Sequence, residues 1–253
     1  MFEVETSKVW EKSDFPLRKG GKMRIGGIAK MTLLDFPGRV ACTVFTEGCN
    51  LRCPFCHNAT LVSGGADGIS RDDLLSFLKK RQGLLEGVCL TGGEPLCQPD
   101  LAELIRDIRT LGYAVKLDTN GTNPRALAAL IDAGLLDYVA MDIKNSPEKY
   151  ALTTGLPQMP AGIRESVALL LEGRVPYEFR TTVVEELHEP CDFVAIGEWI
   201  RGADRYFLQM FKDSGDILGT GMSAPHPEKM RACLAAVLPY VGTAELRGVD
   251  TVN

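Results

Sequence analysis

The chain has 253 residues, 45% of them hydrophobic, with 28 Lys and Arg against 33 Asp and Glu. That is enough apolar material for a large α/β core, and the mild acidity excludes a basic nucleic-acid-binding surface beyond the short stretch from Arg18 to Lys22. The start, Met1 to Thr6, lacks the basic-then-apolar order of a signal peptide, and no apolar run approaches ~18 residues, so a soluble cytoplasmic protein without a membrane partner is expected.

Residues 1–22 are polar and without periodicity and read as an N-terminal extension; 23–253 read as a single domain. Val40–Phe45 is a β-rich run that leads straight into a cysteine-rich loop. Ser70-Arg-Asp-Asp73 has the form of a capping box and opens a helix to about Lys80. Strand Val88–Leu90 precedes Thr91-Gly-Gly-Glu-Pro95, and a helix from Pro99 to Leu111 meets Gly112, a fitting stop. The pattern repeats with strand Ala114–Leu117 before Asp118-Thr-Asn-Gly121, helix Pro124–Ala133 before Gly134, and strand Tyr138–Met141 before Asp142-Ile-Lys144. Helix Ile163–Glu172 stops at Gly173, and strand Tyr177–Val184 carries Arg180. Helix Asp192–Ile200, strand Tyr206–Met210, helix Pro225–Val237 and a last apolar segment, Thr243–Leu246, complete the series. Strand-then-helix units of this length imply a parallel sheet, curled as a barrel or opened as a doubly wound sheet. The unusual polar residues all fall just past the C-terminal ends of strands, where parallel barrels keep their active sites, which supports the barrel.

Cys49, Cys53 and Cys56 place three thiols on one short loop with the spacing Cys-x3-Cys-x2-Cys. A four-iron cluster normally takes four cysteines, so three would leave one iron open to a small molecule. Zinc with His57 as fourth ligand is the competing reading, although no second Cys-x2-Cys pair follows. Cys42, Cys89, Cys97, Cys191 and Cys233 are scattered and read as small buried hydrophobes. Gly92-Gly93-Glu94-Pro95 combines glycines that permit a close approach to the backbone with a carboxylate suited to an ammonium group.

Together, Cys49-x3-Cys53-x2-Cys56-His57-Asn58, Gly92-Gly-Glu-Pro95, Asp118-Thr-Asn-Gly121 and Met141-Asp-Ile-Lys144 resemble the radical S-adenosylmethionine (radical SAM) superfamily, and within it the activating enzymes of glycyl radical enzymes. Leu34-Asp-Phe-Pro-Gly38, followed by Val44-Phe-Thr-Glu-Gly-Cys49, is most similar to the longer anaerobic ribonucleoside-triphosphate reductase activating proteins. The resemblance covers roughly residues 25–248 and implies an open, partial parallel (β/α)6 barrel of the radical SAM type. It implies that Cys49, Cys53 and Cys56 hold a [4Fe–4S] cluster whose open iron takes S-adenosylmethionine. Gly92, Gly93 and Glu94 would bind the methionine ammonium, Phe55 would lie against adenine, and Asn58, Asp118 and Lys144 would contact ribose or methionine. Arg180 is a candidate for the methionine carboxylate or else a buried ion-pair partner, and Asp118, Thr119 and Asp142 would frame a monovalent cation. The activity implied is an oxidoreductase that cleaves S-adenosylmethionine reductively and raises a glycyl radical on a partner, with a flavodoxin or ferredoxin-type electron donor. A pyruvate formate-lyase-type activase, a small-molecule enzyme such as a deazaguanine-forming synthase, and a zinc module are the other readings.

Two departures stand out. Extra ferredoxin-like cysteines are absent, and where pyruvate formate-lyase activators carry a histidine near the last strands this chain has Gln209-Met-Phe-Lys212. His188 and His226 read as solvated, and the stretch Asp213 to Gly221, lacking a phosphate-loop Lys-Ser/Thr, reads as a mobile loop.

Overall fold

The computed structural model describes residues 23–63 and 68–249; the expected extension at 1–22 lies outside them. One eight-stranded sheet runs in chain order, β1 (Ile25–Thr32), β2 (Ala41–Thr46), β3 (Gly87–Gly92), β4 (Ala114–Thr119), β5 (Tyr138–Asp142), β6 (Tyr177–Val183), β7 (Arg205–Met210) and β8 (Thr243–Arg247). β1 is antiparallel to β2, and every later pairing is parallel. β1 and β8 are the two edges of the sheet, so the barrel is open along one side.

The helices are α1 (Ala59–Ser63), α2 (Arg71–Lys80), α3 (Leu101–Thr110), α4 (Pro124–Asp132), α5 (Tyr150–Thr154), α6 (Gly162–Leu171), α7 (Pro190–Trp199) and α8 (Pro227–Val237). Strands β2 to β7, each followed by helix, make the six expected β/α units, bracketed by β1 and β8. The stops also fall where expected: Gly112, Gly134 and Gly173 carry φ of 90°, 62° and 69°, the left-handed conformation that ends a helix. Ser70 caps α2 by accepting from the Asp73 amide at 3.1 Å. Among the described residues no helix is long and apolar enough to cross a membrane.

Strand side chains alternate between two layers. Cys42, Val44, Val88, Leu90, Val115, Leu117 and Val139 join Leu74, Leu104, Ile108, Leu127, Ile163 and Val167 of the helices in one apolar cluster. The alternate positions, Thr43, Thr91, Asp118, Asp142, Arg180, Thr182 and Gln209, line a cavity inside the barrel. The apolar layer between sheet and helices therefore holds the fold, and the barrel interior is left to polar chemistry.

Two elements differ from the sequence reading. β1 was not anticipated, because Ile-Gly-Gly-Ile-Ala-Lys carries two glycines, which weaken any strand signal. β4 and β5 run on to Thr119 and Asp142, so Asp118 and Asp142 sit in the ladder rather than beyond it. Interior carboxylates need no strand end when neighbouring strands supply their partners.

β8 is tied across the sheet by Arg247, which donates to both oxygens of the buried Glu178 on β6 at 3.0 and 3.2 Å and lies over the Phe207 ring. Tyr138 donates to the same carboxylate at 3.1 Å. Arg247→Ala is expected to cost about 1–2 kcal/mol in urea unfolding, less than the 3–5 of a fully buried pair, since the arginine side chain keeps 38% exposure.

Candidate active site

The cysteine loop leaves β2 through Glu47 and Gly48 and is braced on itself. The Leu51 amide donates to Cys49 Sγ at 3.4 Å, the Cys56 amide to the Cys53 carbonyl at 3.1 Å, and the Arg52 amide to the Thr154 carbonyl of α5 at 2.9 Å. Leu51, Cys53 and Phe55 are buried in a small apolar cluster with Val184 and Phe211. Burial pushes the Cys49 thiol up to about 11 and Cys53 to about 12, so a metal must displace protons to bind there. Among the described residues no three His, Cys, Asp or Glu side chains converge on a single ion.

The Gly-Gly-Glu turn at the end of β3 is zipped to the approach to Cys49. The Gly93 amide donates to the Thr46 carbonyl at 2.7 Å and the Glu94 amide to the Gly48 carbonyl at 2.8 Å. The glycines serve this backbone-to-backbone contact: a Cβ on Gly92, at φ 110°, would lie 2.4 Å from Thr46 N, and one on Gly93 would lie 2.1 Å from Gly48 O. Glu94 is 1% exposed, and its carboxylate accepts from the Leu96 amide (3.0 Å), Thr119 Oγ1 (2.7 Å) and the Asn120 amide (2.6 Å). Burial raises its carboxyl to about 7, against the pull of those three donors.

Strands β4, β5 and β6 add a chain of alternating charge: Lys116 to Asp118, Asp118 to Arg180, Arg180 to Asp142, and Asp142 to Lys144. Burial opposes ionisation of Asp142, but Lys144 and Arg180 outweigh it and hold the carboxyl at about 2. Of the two sequence readings of Arg180, the structure places it in the buried ion pairs. The carbonyls of this segment are also held: Tyr150 donates to Asp142 O (3.4 Å), Thr181 to Ile143 O (2.6 Å), and His188 Nε2 bonds Lys144 O (2.9 Å).

His188 is a correction to the sequence reading. It is fully buried, its Nδ1 accepts from the Val184 amide at 3.1 Å, and burial lowers its pKa, so it is a neutral strut; His226 is exposed as expected. Cys191 is another, being exposed at the start of α7, whereas Cys42, Cys89 and Cys233 are buried and Cys97 half-buried. The stretch Asp213 to Gly221 packs as a strap on the cysteine loop: the Gly219 amide donates to the Pro54 carbonyl at 2.8 Å, and Asp216 accepts from Thr60 Oγ1 at 3.0 Å. No local pattern announces contacts that span some 160 residues of chain.

A cavity of about 410 Å³ brings together Cys49, Cys53, Cys56, Phe55, Asn58, Gly92, Gly93, Glu94, Asp118, Thr119, Asp142, Lys144 and Arg180. Every site residue named from the sequence lines it. Asp35, Thr43, Thr182, Gln209 and Asn120 line it too and were missed. Asn120 Nδ2 lies 3.8 Å from Cys49 Sγ, and Thr43 donates to Asp35 at 2.5 Å. A signal existed for Asp35 and Asn120, which sit inside quoted motifs; Thr43 and Thr182 look like ordinary β-formers.

The sequence matches the Radical SAM superfamily over residues 43–192. The chain belongs to this superfamily. Its cofactors are accordingly a [4Fe–4S] cluster and S-adenosylmethionine, and the three loop thiols, the orphan cavity beside them and the buried Glu94 fit that pair. The chain is 27% identical over 239 residues to a protein of Methanocaldococcus jannaschii provisionally named a glycyl-radical enzyme activating enzyme, covering 90% of this chain and 98% of that one. It is 32% identical to the pyruvate formate-lyase-activating enzyme of Clostridium pasteurianum, over 52% of this chain and 57% of that one. It is 39% identical to the 7-carboxy-7-deazaguanine synthase of Thermoplasma acidophilum, over 70% and 79%. Among solved structures, Streptococcus suis SuiB shares the fold with a TM-score of 0.62 at 14% identity, over 81% of this chain and 48% of that one. The open radical SAM sheet expected from the sequence is the one observed.

Proposed function

We propose that this protein is the activating enzyme of a glycyl radical enzyme, with anaerobic ribonucleoside-triphosphate reductase as its partner and a flavodoxin or ferredoxin-type protein as electron donor, working in the cytoplasm. The observation that carries the reading is the extent of one match, 90% of this chain against 98% of the Methanocaldococcus jannaschii protein provisionally named a glycyl-radical enzyme activating enzyme. The approach motif Leu34 to Gly38 favours the reductase over pyruvate formate-lyase as partner. The open side of the sheet supports it as well, since a substrate glycine must arrive on a peptide loop.

When bound, the cluster and S-adenosylmethionine supply a reductive cleavage to methionine and a 5′-deoxyadenosyl radical, which takes a Cα hydrogen from the partner's glycine. Cys49, Cys53 and Cys56 hold the cluster. Glu94, with Gly92 and Gly93, accepts from the amino group of S-adenosylmethionine, and Phe55 packs against adenine. Asn58, Asp118 and Lys144 contact ribose and methionine, Lys144 from a position fixed by its 2.9 Å bond to Asp142. The strap over Pro54 keeps water from the cysteine loop.

Glu94 makes cofactor binding pH-dependent. With its carboxyl titrating at about 7 rather than 4.5, the folded protein carries an extra proton in that window, so unliganded stability falls as pH rises from 4.5 to about 7. Binding runs the opposite way, because the charged carboxylate accepts from the ammonium group more strongly than the protonated carboxyl does. The affinity of reconstituted protein for S-adenosylmethionine is expected to rise about tenfold from pH 6 to pH 8, and Glu94→Gln should flatten that profile in equilibrium binding.

A second reading, deazaguanine formation, is favoured by the 39% identity to the Thermoplasma acidophilum synthase. Anaerobic incubation with reductant, S-adenosylmethionine and the reductase separates them. A glycyl radical signal on the partner in electron paramagnetic resonance is expected; 5′-deoxyadenosine release with no such signal would reject activation.

A further inference from the structure

We infer that Arg180 is the resident cation of the S-adenosylmethionine site, filling the place between Asp118 and Asp142 that a monovalent metal ion takes in the related activators, so that this enzyme works without one. Arg180 on β6 stands directly opposite Asp142 on β5 in the parallel register, and Asp118 on the next strand, β4, pairs with Ala140, two residues before Asp142. Its guanidinium spans the gap, Nε donating to Asp142 Oδ1 and Nη1 to Asp118 Oδ2, both at 3.1 Å.

The remaining oxygens are also spoken for. Lys116 donates to Asp118 Oδ1 and Lys144 to Asp142 Oδ2. All four carboxylate oxygens thus face a cationic protein donor. Thr119, the third expected member of the frame, directs its hydroxyl to Glu94 at 2.7 Å and accepts from the Gly121 amide at 3.1 Å. Within the ladder three positive side chains stand against two negative ones, with Asp35 and Glu94 on the same cavity wall. A further cation would have to displace one of these protein donors from its carboxylate oxygen. Arginine also fits better than a metal ion would in one respect: its planar fork holds both aspartates at a fixed separation, keeping β4, β5 and β6 in register at the cavity wall.

The inference rests on the radical SAM site and not on the identity of the partner, so it is tested on the metal-free full-length chain. Thermal unfolding is followed in choline chloride, sodium chloride and potassium chloride at equal ionic strength. The wild-type midpoints are expected to agree within about 1 °C, and Arg180→Met, which removes the bridge at similar volume, should gain about 2–4 °C in potassium over choline. In reconstituted wild-type protein the affinity for S-adenosylmethionine should change less than about twofold among the three salts. A wild-type midpoint or affinity that rises in potassium over choline would overturn the inference, and so would a folded Arg180→Met protein indifferent to potassium. The wild-type comparison decides by itself if that variant does not fold.

Discussion

Cys53→Ala protein, reconstituted without oxygen, is expected to hold less than one cluster per chain and to cleave S-adenosylmethionine at least about 10³-fold more slowly than the wild type. Loss of a partner one step removed from a metal already costs 10–100-fold, and Cys53 is proposed as a ligand itself. Its position makes it the hardest of the three to replace. It is 6% exposed, between Leu51 and Phe55 in the apolar cluster under the strap, and is the most buried of the three thiols. The expected readouts are iron content, the visible absorption of the cluster and 5′-deoxyadenosine release. Far-ultraviolet circular dichroism should stay unchanged, because the cluster loop lies outside the apolar layer that holds sheet to helices. Wild-type cleavage by the variant would remove the basis for every role assigned to the cavity.

How much of this was legible beforehand depended on the range of the signal. The cysteine spacing, the Gly-Gly-Glu turn and the helix-stopping glycines are local, and each stands where its neighbours in sequence placed it. Asp118, Asp142, Lys144 and Arg180 were each recognised, but which of them pair was not, since Arg180 reaches the two aspartates from 62 and 38 residues away. Lys116 was passed over, although a lysine in Ala-Val-Lys-Leu, between apolar neighbours, is costly to bury without a carboxylate at hand. His188 followed the same logic in reverse. A Leu-His-Glu-Pro context looks like a solvated turn, and only the fold shows the Lys144 carbonyl waiting for its Nε2. The strap over Pro54 and the edge strand β1 were hidden because glycines weaken periodicity while the contacts that fix them are made across the chain.

Gly93→Ala is expected to cost about 3 kcal/mol or more of stability and to weaken S-adenosylmethionine binding at least about 100-fold. The argument is one of backbone proximity. A methyl group on Gly93 would stand 2.1 Å from the Gly48 carbonyl oxygen and 2.7 Å from its carbon, and neither is a flexible side chain that can turn aside. The turn and the cysteine approach must move apart. That breaks the bonds from Gly93 to Thr46 and from Glu94 to Gly48, which set the distance between Glu94 and Cys49. Both halves of the site are therefore lost together through a single added carbon. Gly27→Ala is the matched control, since nothing lies within 4 Å of a Cβ there; it should shift the urea midpoint by less than about 0.5 kcal/mol equivalent. Gly93→Ala protein that unfolds with the wild type and binds the cofactor at wild-type affinity would show that the Gly48 contact does not position the site.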